Sequence, residues 1–475
     1  MNKYLYFFTL FFVSSLSVCF SQTQMPSFFS DNMVLQQQDD VAIWGTDNPE
    51  TKVIIHTSWG VEASAVTDED GSWKMEISTP KASFENQVIT VKGSSTVILK
   101  NVLIGEVWLA SGQSNMEMAM KDSNKPIVNN YDAYINTSNN SFIRLFNTER
   151  AANLSPQHDV TGSWESSNIE SASSFSAVGY MFARQLFDKL QIPIGIIEAS
   201  WGGTSIICWL PQSIMDKYPG YKIPDTLPEN QKQPTALYNG MIHPFKNFSI
   251  KGFLWYQGES NRFNAHQYKD FMHDLVSSWR TQWKQENLPL YFVQIAPYIY
   301  KDNRSSIHFS ANLVREAQSL AAQEIPNSGL IITTDVGKCD QIHPPEKEII
   351  AQRLANWALY KQYDFKEIPY RSPEYKSLKV EGNKAKIEFA FYGKNKDNLV
   401  LDGNRDLKNF EIAGSDKVFY PAEVKMNENK SLTVFSDKVK NPVAVRYGFV
   451  DCLEGSLFSK AGLPVSPFRT DDWKN

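Results

Sequence analysis

Two short segments carry the side chains best suited to covalent chemistry: Gly112-Gln113-Ser114-Asn115-Met116 and Asp340-Gln341-Ile342-His343-Pro344. Serine attacks a carbonyl when an imidazole takes its proton and a carboxylate holds that imidazole in the right tautomer. Ser114, His343 and Asp340 supply those three groups, provided that a fold brings the two distant segments together. Six other histidines compete with His343, at positions 56, 158, 243, 266, 273 and 308. Among them His273 also has an aspartate three residues earlier, Asp270, but that pair lies inside a helical run, where the spacing is that of a surface pair. Asp335 is an alternative orienting carboxylate; Asp340 is favoured because an Asp-x-x-His loop lets the carboxylate reach back to the imidazole.

The elements that must position these groups can be read from periodicity. From Asn101 to about Asp364, apolar runs of strand length alternate with helical stretches, which favours a parallel sheet covered on both faces. The strands are expected at Val102–Ala110, Phe142–Phe146, Ile192–Ala199, Lys251–Tyr256, Leu290–Ile295 and Leu330–Thr334. Helical spacing marks Phe175–Leu190, Tyr268–Trp283, Asn312–Ala322 and Glu346–Tyr360. Ser114 then follows the first strand, and Asp340 and His343 follow the last, all at the carboxyl edge of the sheet, where open α/β sheets bind ligands. Residues 25–100 read as a small β domain, 101–365 as the catalytic domain and 366–475 as a β-rich region that can pair with the N-terminal domain or pack separately.

Length and composition agree with several domains: 475 residues, 42% of them hydrophobic, exceed what one core usually supports. A balance of 47 Lys+Arg against 52 Asp+Glu gives a net charge of −5, which argues against a nucleic-acid or anionic-membrane partner. The first 21 residues read as an export signal, with Lys3 before an apolar run too short to span a bilayer and cleavage expected before Gln22. The product is expected to be periplasmic or secreted. Lipid anchoring at Cys19 is disfavoured because Val18 precedes it, where a small residue is wanted. Cys208, Cys339 and Cys452 then remain; Cys208 and Cys339 can be brought together by loops around the site, although small buried thiols are the commoner outcome.

Two further segments fall at strand ends, Ser200-Trp201-Gly202-Gly203-Thr204 and Gln257-Gly258-Glu259-Ser260-Asn261. Glycine allows close backbone approach, and an asparagine amide can donate to an oxyanion. Together the four segments resemble the four blocks of the SGNH hydrolases. Phe29-Ser30-Asp31-Asn32-Met33-Val34-Leu35-Gln36, Phe175-Ser176-Ala177 with Phe182-Ala183-Arg184, and Gly462-Leu463-Pro464 with Pro467-Phe468-Arg469 extend the resemblance to the sialate O-acetylesterase branch. The resemblance implies an α/β fold of the three-layer α/β/α, flavodoxin-like kind with flanking β-rich regions. It implies Ser114 as nucleophile, His343 as base, Asp340 as its partner, and an oxyanion hole made by the amides of Ser114 and Gly203 (or Gly202) and the Asn261 side chain. Gln113, Glu259 and Trp209 are candidate substrate contacts. The implied reaction is cofactor-free removal of O-acetyl groups from sialic acids; alternatives are deacetylation of xylan or another acetylated glycan, and a non-catalytic carbohydrate-binding protein. Oligomeric state is not legible.

Overall fold

The computed structural model describes residues 22–228, 232–300, 311–393, 399–401 and 407–473; the expected export signal, Cys19 and His308 lie outside them. The central path of the main sheet comprises β1 (Thr96–Gly112), β2 (Asn140–Asn147), β3 (Trp164–Ser167), β4 (Ile194–Ser200), β5 (Gly252–Tyr256), β6 (Leu290–Val293) and β7 (Ser328–Ile331). Their order is β7-β6-β5-β1-β4-β2-β3, parallel throughout except for β3, which runs antiparallel to β2. The fold is therefore α/β with a mixed sheet.

Residues of β4 and β5 are buried without exception, as strands covered on both faces require. The cover comes from α2 (Ala177–Leu190), α3 (Ala265–Trp283), α4 (Ala311–Glu324) and α5 (Lys347–Gln362), which follow a single-turn helix α1 (Ser114–Glu117). The two-residue period of β1 divides the core. Val107 and Leu109 join Leu275 of α3 and Val314 of α4 in one cluster, while Trp108 and Ala110 join Phe182 of α2 and Leu354 of α5 in the other. Each large side chain so buried contributes about 1.5–3 kcal/mol, enough to hold the strand ends in fixed register.

β1 is long because it serves two regions. Its first half pairs antiparallel with Ser83–Lys92, its middle pairs in parallel with Val34–Gln36, and its second half lies between β4 and β5. The expected boundary at 100/101 falls inside this continuous strand. Near the C-terminus, Glu374–Glu381, Lys384–Ala390, Leu432–Phe435 and Glu423–Met426 form an antiparallel sheet, and the region has its own core around Ile387, Ile412, Val434 and Tyr447. It docks on α4, where Arg469 donates to both carboxylate oxygens of Glu316. It is also tied to the loop after β7 by a disulfide between Cys339 and Cys452. Cys208 is buried and free, so the candidate Cys208–Cys339 pairing does not occur.

Candidate active site

β1 lies where the chain switches from one side of the sheet to the other. Its last residue, Gly112, is in register with Ser200 of β4 and Tyr256 of β5, so the segments after all three strands emerge side by side. Gly112 has φ +140°, and a Cβ there would stand 2.3 Å from the Tyr256 carbonyl oxygen. Only glycine permits that approach, which turns the chain into α1 with Ser114 as its first residue. Ser114 is partly buried, and His343 Nε2 lies 2.8 Å from its Oγ, within range for the hydroxyl to donate to the imidazole. The two groups that sequence places far apart do meet.

The carboxylates divide clearly. Asp335 accepts from both terminal nitrogens of Arg353, at 2.8 and 2.6 Å, and is committed to holding α5. Asp340 is exposed, and its carboxylate has no hydrogen bond or ion pair among the described residues, including to His343. Asp122, on the loop after α1, is a further carboxylate whose charge reaches His343; it accepts from Lys125 at 2.8 Å.

The two candidate glycine donors are also separated. The Gly202 amide donates to Glu117 Oε2 at 3.0 Å, and Glu117 in turn accepts from Arg150, which lies over the Trp201 ring. Gly202 stands against Ser114, since a Cβ there would lie 3.2 Å from Ser114 Cβ. Gly203 has φ +70°, and its amide, like that of Ser114, donates to no acceptor among the described residues.

The other expected site residues sit behind this edge. Asn261 is fully buried; its amide donates to Ser205 Oγ and Asn264 Oδ1, both at 2.9 Å, while its carbonyl oxygen accepts from the Ile206 amide and from Gln257. In this arrangement both amide hydrogens are donated to protein acceptors. Trp209 is fully buried, edge-on to Trp255, with its indole nitrogen donating to Thr204 Oγ1, so it presents no face to a sugar. Gln113 is buried and accepts from Gln257 at 3.0 Å, and Glu259 is buried and accepts from Asn115 at 2.6 Å. All three are buried and hydrogen-bonded within the protein.

Asn115 and Lys347 are polar groups of the site that the sequence did not single out. Lys347, the first residue of α5, is fully buried and donates to Asn115 Oδ1 at 2.6 Å. Asn115 Nδ2 donates to Glu259 Oε1 and to the Ile342 carbonyl, at 2.6 and 3.0 Å. One signal was present: a lysine at a helix start opposes the helix dipole and calls for a local partner. Burial pushes the Lys347 ammonium down to about 7 against the opposing pull of Glu259, and burial pushes the Glu259 carboxyl up. His343 is pushed down to about 4 by burial, then by the Lys347 and Lys125 charges, with Asp122 acting in the opposite sense. Its imidazole is therefore neutral near pH 7 and able to accept a proton.

A hydroxyl and a neutral imidazole are thus in contact at the switch point of this α/β sheet. Residues 104–359 match the family described as carbohydrate esterase, sialic acid-specific acetylesterase, and the chain belongs to that family; it is a carbohydrate esterase. Its relatives include the sialate O-acetylesterases of Homo sapiens, 28% identical over 93% of this chain and 91% of that one, and of Mus musculus, 27% identical over 89% and 88%. A crystal structure of a carbohydrate acetylesterase from Xanthomonas citri is 31% identical and superposes with a TM-score of 0.86, covering 95% of this chain and all of that one. No helix among the described residues is long and apolar enough to cross a membrane.

Proposed function

We propose that this chain is a serine esterase that removes O-acetyl groups from sialic acids on an SGNH-type three-layer fold. The observation that carries the reading is the 2.8 Å contact between Ser114 Oγ and His343 Nε2, beside two backbone amides with no protein acceptor among the described residues. Ser114 Oγ attacks the acetyl carbonyl carbon while His343 takes the hydroxyl proton. The amides of Ser114 and Gly203 receive the developing oxyanion, each donor being worth about 3 kcal/mol. Collapse breaks the bond to the sugar oxygen, which takes the proton from His343, and leaves an acetyl-enzyme. Water, deprotonated by His343, then releases acetate and restores Ser114.

Asp340 is the carboxylate we assign to the second imidazole nitrogen. Asp335 is held by Arg353, whereas Asp340 is uncommitted on the loop that carries His343. Catalytic hydrogen bonds often tighten only in the substrate complex. Export to an oxidising compartment is supported by the disulfide and by the charged start and apolar run of the first 21 residues.

A second reading, deacetylation of another glycan, is favoured by the Xanthomonas citri structure, which is that of a carbohydrate acetylesterase. Acetate release from O-acetylated sialic acids, acetylated xylan and an aryl acetate, measured for wild type and Ser114→Ala, tests both. The sialate reading expects release from the sialic acids that Ser114→Ala loses. Release from xylan alone would overturn it, and activity surviving in Ser114→Ala would overturn the serine mechanism.

A further inference from the structure

Three loops of the site converge on one buried amide. Asn115 follows the nucleophile, Glu259 comes from the turn after β5, and Ile342 precedes His343. Asn115 Nδ2 donates to both Glu259 Oε1 and the Ile342 carbonyl, so both amide hydrogens are used. Its carbonyl oxygen accepts from Lys347 Nζ. Asn115 and Lys347 are each fully buried. An amide with every hydrogen placed has one orientation, and a fully buried ammonium is tolerated only where such partners compensate its desolvation.

We propose that Lys347 is a positioning residue for His343: through Asn115 it fixes the Ile342 carbonyl beside the Ser114 segment, and its buried charge opposes a proton on the imidazole. The inference rests on the reading of His343 as the base. The hydrogen bond to Ile342 sets where the loop can place His343, one residue on, and the Lys347 bond keeps the Asn115 amide from flipping. A flipped amide would aim its oxygen at the Ile342 carbonyl and at Glu259, two acceptors facing an acceptor. Lys347 thereby couples the nucleophile's segment and the base's loop through one polar bridge.

The charged groups around the imidazole come from several elements. Lys347 lies on α5, Lys125 and Asp122 on the loop after α1, Asp340 on the histidine's own loop, and Glu259 beyond Asn115. Asp122 and Lys125 form an ion pair with each other, so their effects on His343 largely offset. Glu259 is driven toward its neutral form by burial, which leaves Lys347 as the uncompensated charge in acid. The acid limb of kcat/KM should therefore report on Lys347.

The test compares pH profiles of aryl acetate hydrolysis for wild type, Lys347→Met and Lys347→Gln. Glutamine can still donate to Asn115 but carries no charge; methionine does neither. Both variants are expected to move the acid limb upward by about one pH unit, the usual effect of a removed neighbouring charge. Lys347→Met should also lose at least about tenfold in kcat, part of which Lys347→Gln restores. Folded variants with the wild-type acid limb would overturn the proposal. Should both fail to fold, nitrogen-15 NMR of His343 in wild type decides: a secondary inflection near neutral pH, where Lys347 loses its proton, supports the coupling, and a single step overturns it. Ser114→Ala in the same assay separates the two levels. If that variant stays active, the serine reading itself fails; if it is dead while the lysine variants behave as wild type, only the present inference fails.

Discussion

Two groups of polar residues share the carboxyl edge of this sheet and differ in what their hydrogen bonds are used for. At the ends of β1 and β4, Ser114 and Gly203 keep backbone amides with no acceptor among the described residues, beside a hydroxyl in contact with His343. Behind the ends of β1 and β5, Gln257 joins buried Gln113 and Asn261, buried Glu259 accepts from Asn115, and the Asn261 amide hydrogens are already donated. Both groups consist of residue types that catalysis uses. An unspent donor at a partly buried edge is available to a substrate, whereas a spent donor under full burial holds the edge in shape. On the proposed reading, the first group acts on ligands and the second on the first group.

The widest test of that division is at the nucleophile. Ser114→Ala removes the proposed nucleophile and is expected to cut kcat by roughly 10⁴-fold or more while leaving the melting temperature within a degree or two. Equal losses of kcat and stability would place Ser114 in the framework group. Asp340→Asn comes next, with an expected loss of up to about 10⁴-fold if the carboxylate orients His343 in the substrate complex. Asp335→Asn is the control. It breaks a double hydrogen bond to Arg353 and should lower stability more than turnover. A reversal of the two effects would exchange their roles.

At Asn261 the two groups predict different observables. A donor to the oxyanion would cost roughly a hundredfold in kcat at unchanged stability when replaced by alanine. The geometry instead expects Asn261→Ala to lower stability by about 2–4 kcal/mol, because the Ile206 amide and Gln257 lose a buried acceptor. Turnover at a temperature where the variant is folded should fall less than about tenfold. Parallel urea titrations and acetate-release assays distinguish the outcomes.

Much of this arrangement was legible in the chain itself. The apolar runs around Val107, Ile197 and Leu254 are continuous because both faces are covered, so strand positions and the contact of Ser114 with His343 followed from order along the chain. The edge strand β3 was not read, since Trp164-Glu165-Ser166-Ser167 is short and mostly polar. The hydrogen-bond partners of Asn261 were not legible, because residue type says nothing about which hydrogens are spent. Trp209 failed for a related reason: an aromatic beside a motif packs into the core as readily as it lines a pocket, and here Trp255 and Trp279 surround that part of the core. The partner of Cys339 lay beyond the reach of spacing, because Cys452 belongs to the C-terminal region and only the docking of that region on α4 brings it near.

That disulfide gives the smallest effect on catalysis and a clear limit on the comparison. It anchors the loop four residues before His343 to the C-terminal region, closing a loop across a sequence separation of 113 residues, a constraint worth about 5 kcal/mol by the chain-entropy account. The same loop is independently held by the Ile342 carbonyl on Asn115 and the Pro345 carbonyl on the Asn129 amide. With those bonds in place, Cys452→Ser should lower the urea midpoint while kcat at 25 °C stays within about threefold of wild type. A larger loss in a variant whose near-ultraviolet circular dichroism is unchanged would mean that the C-terminal region aims His343, and the group that shapes the edge would then extend beyond the sheet into the terminal β structure.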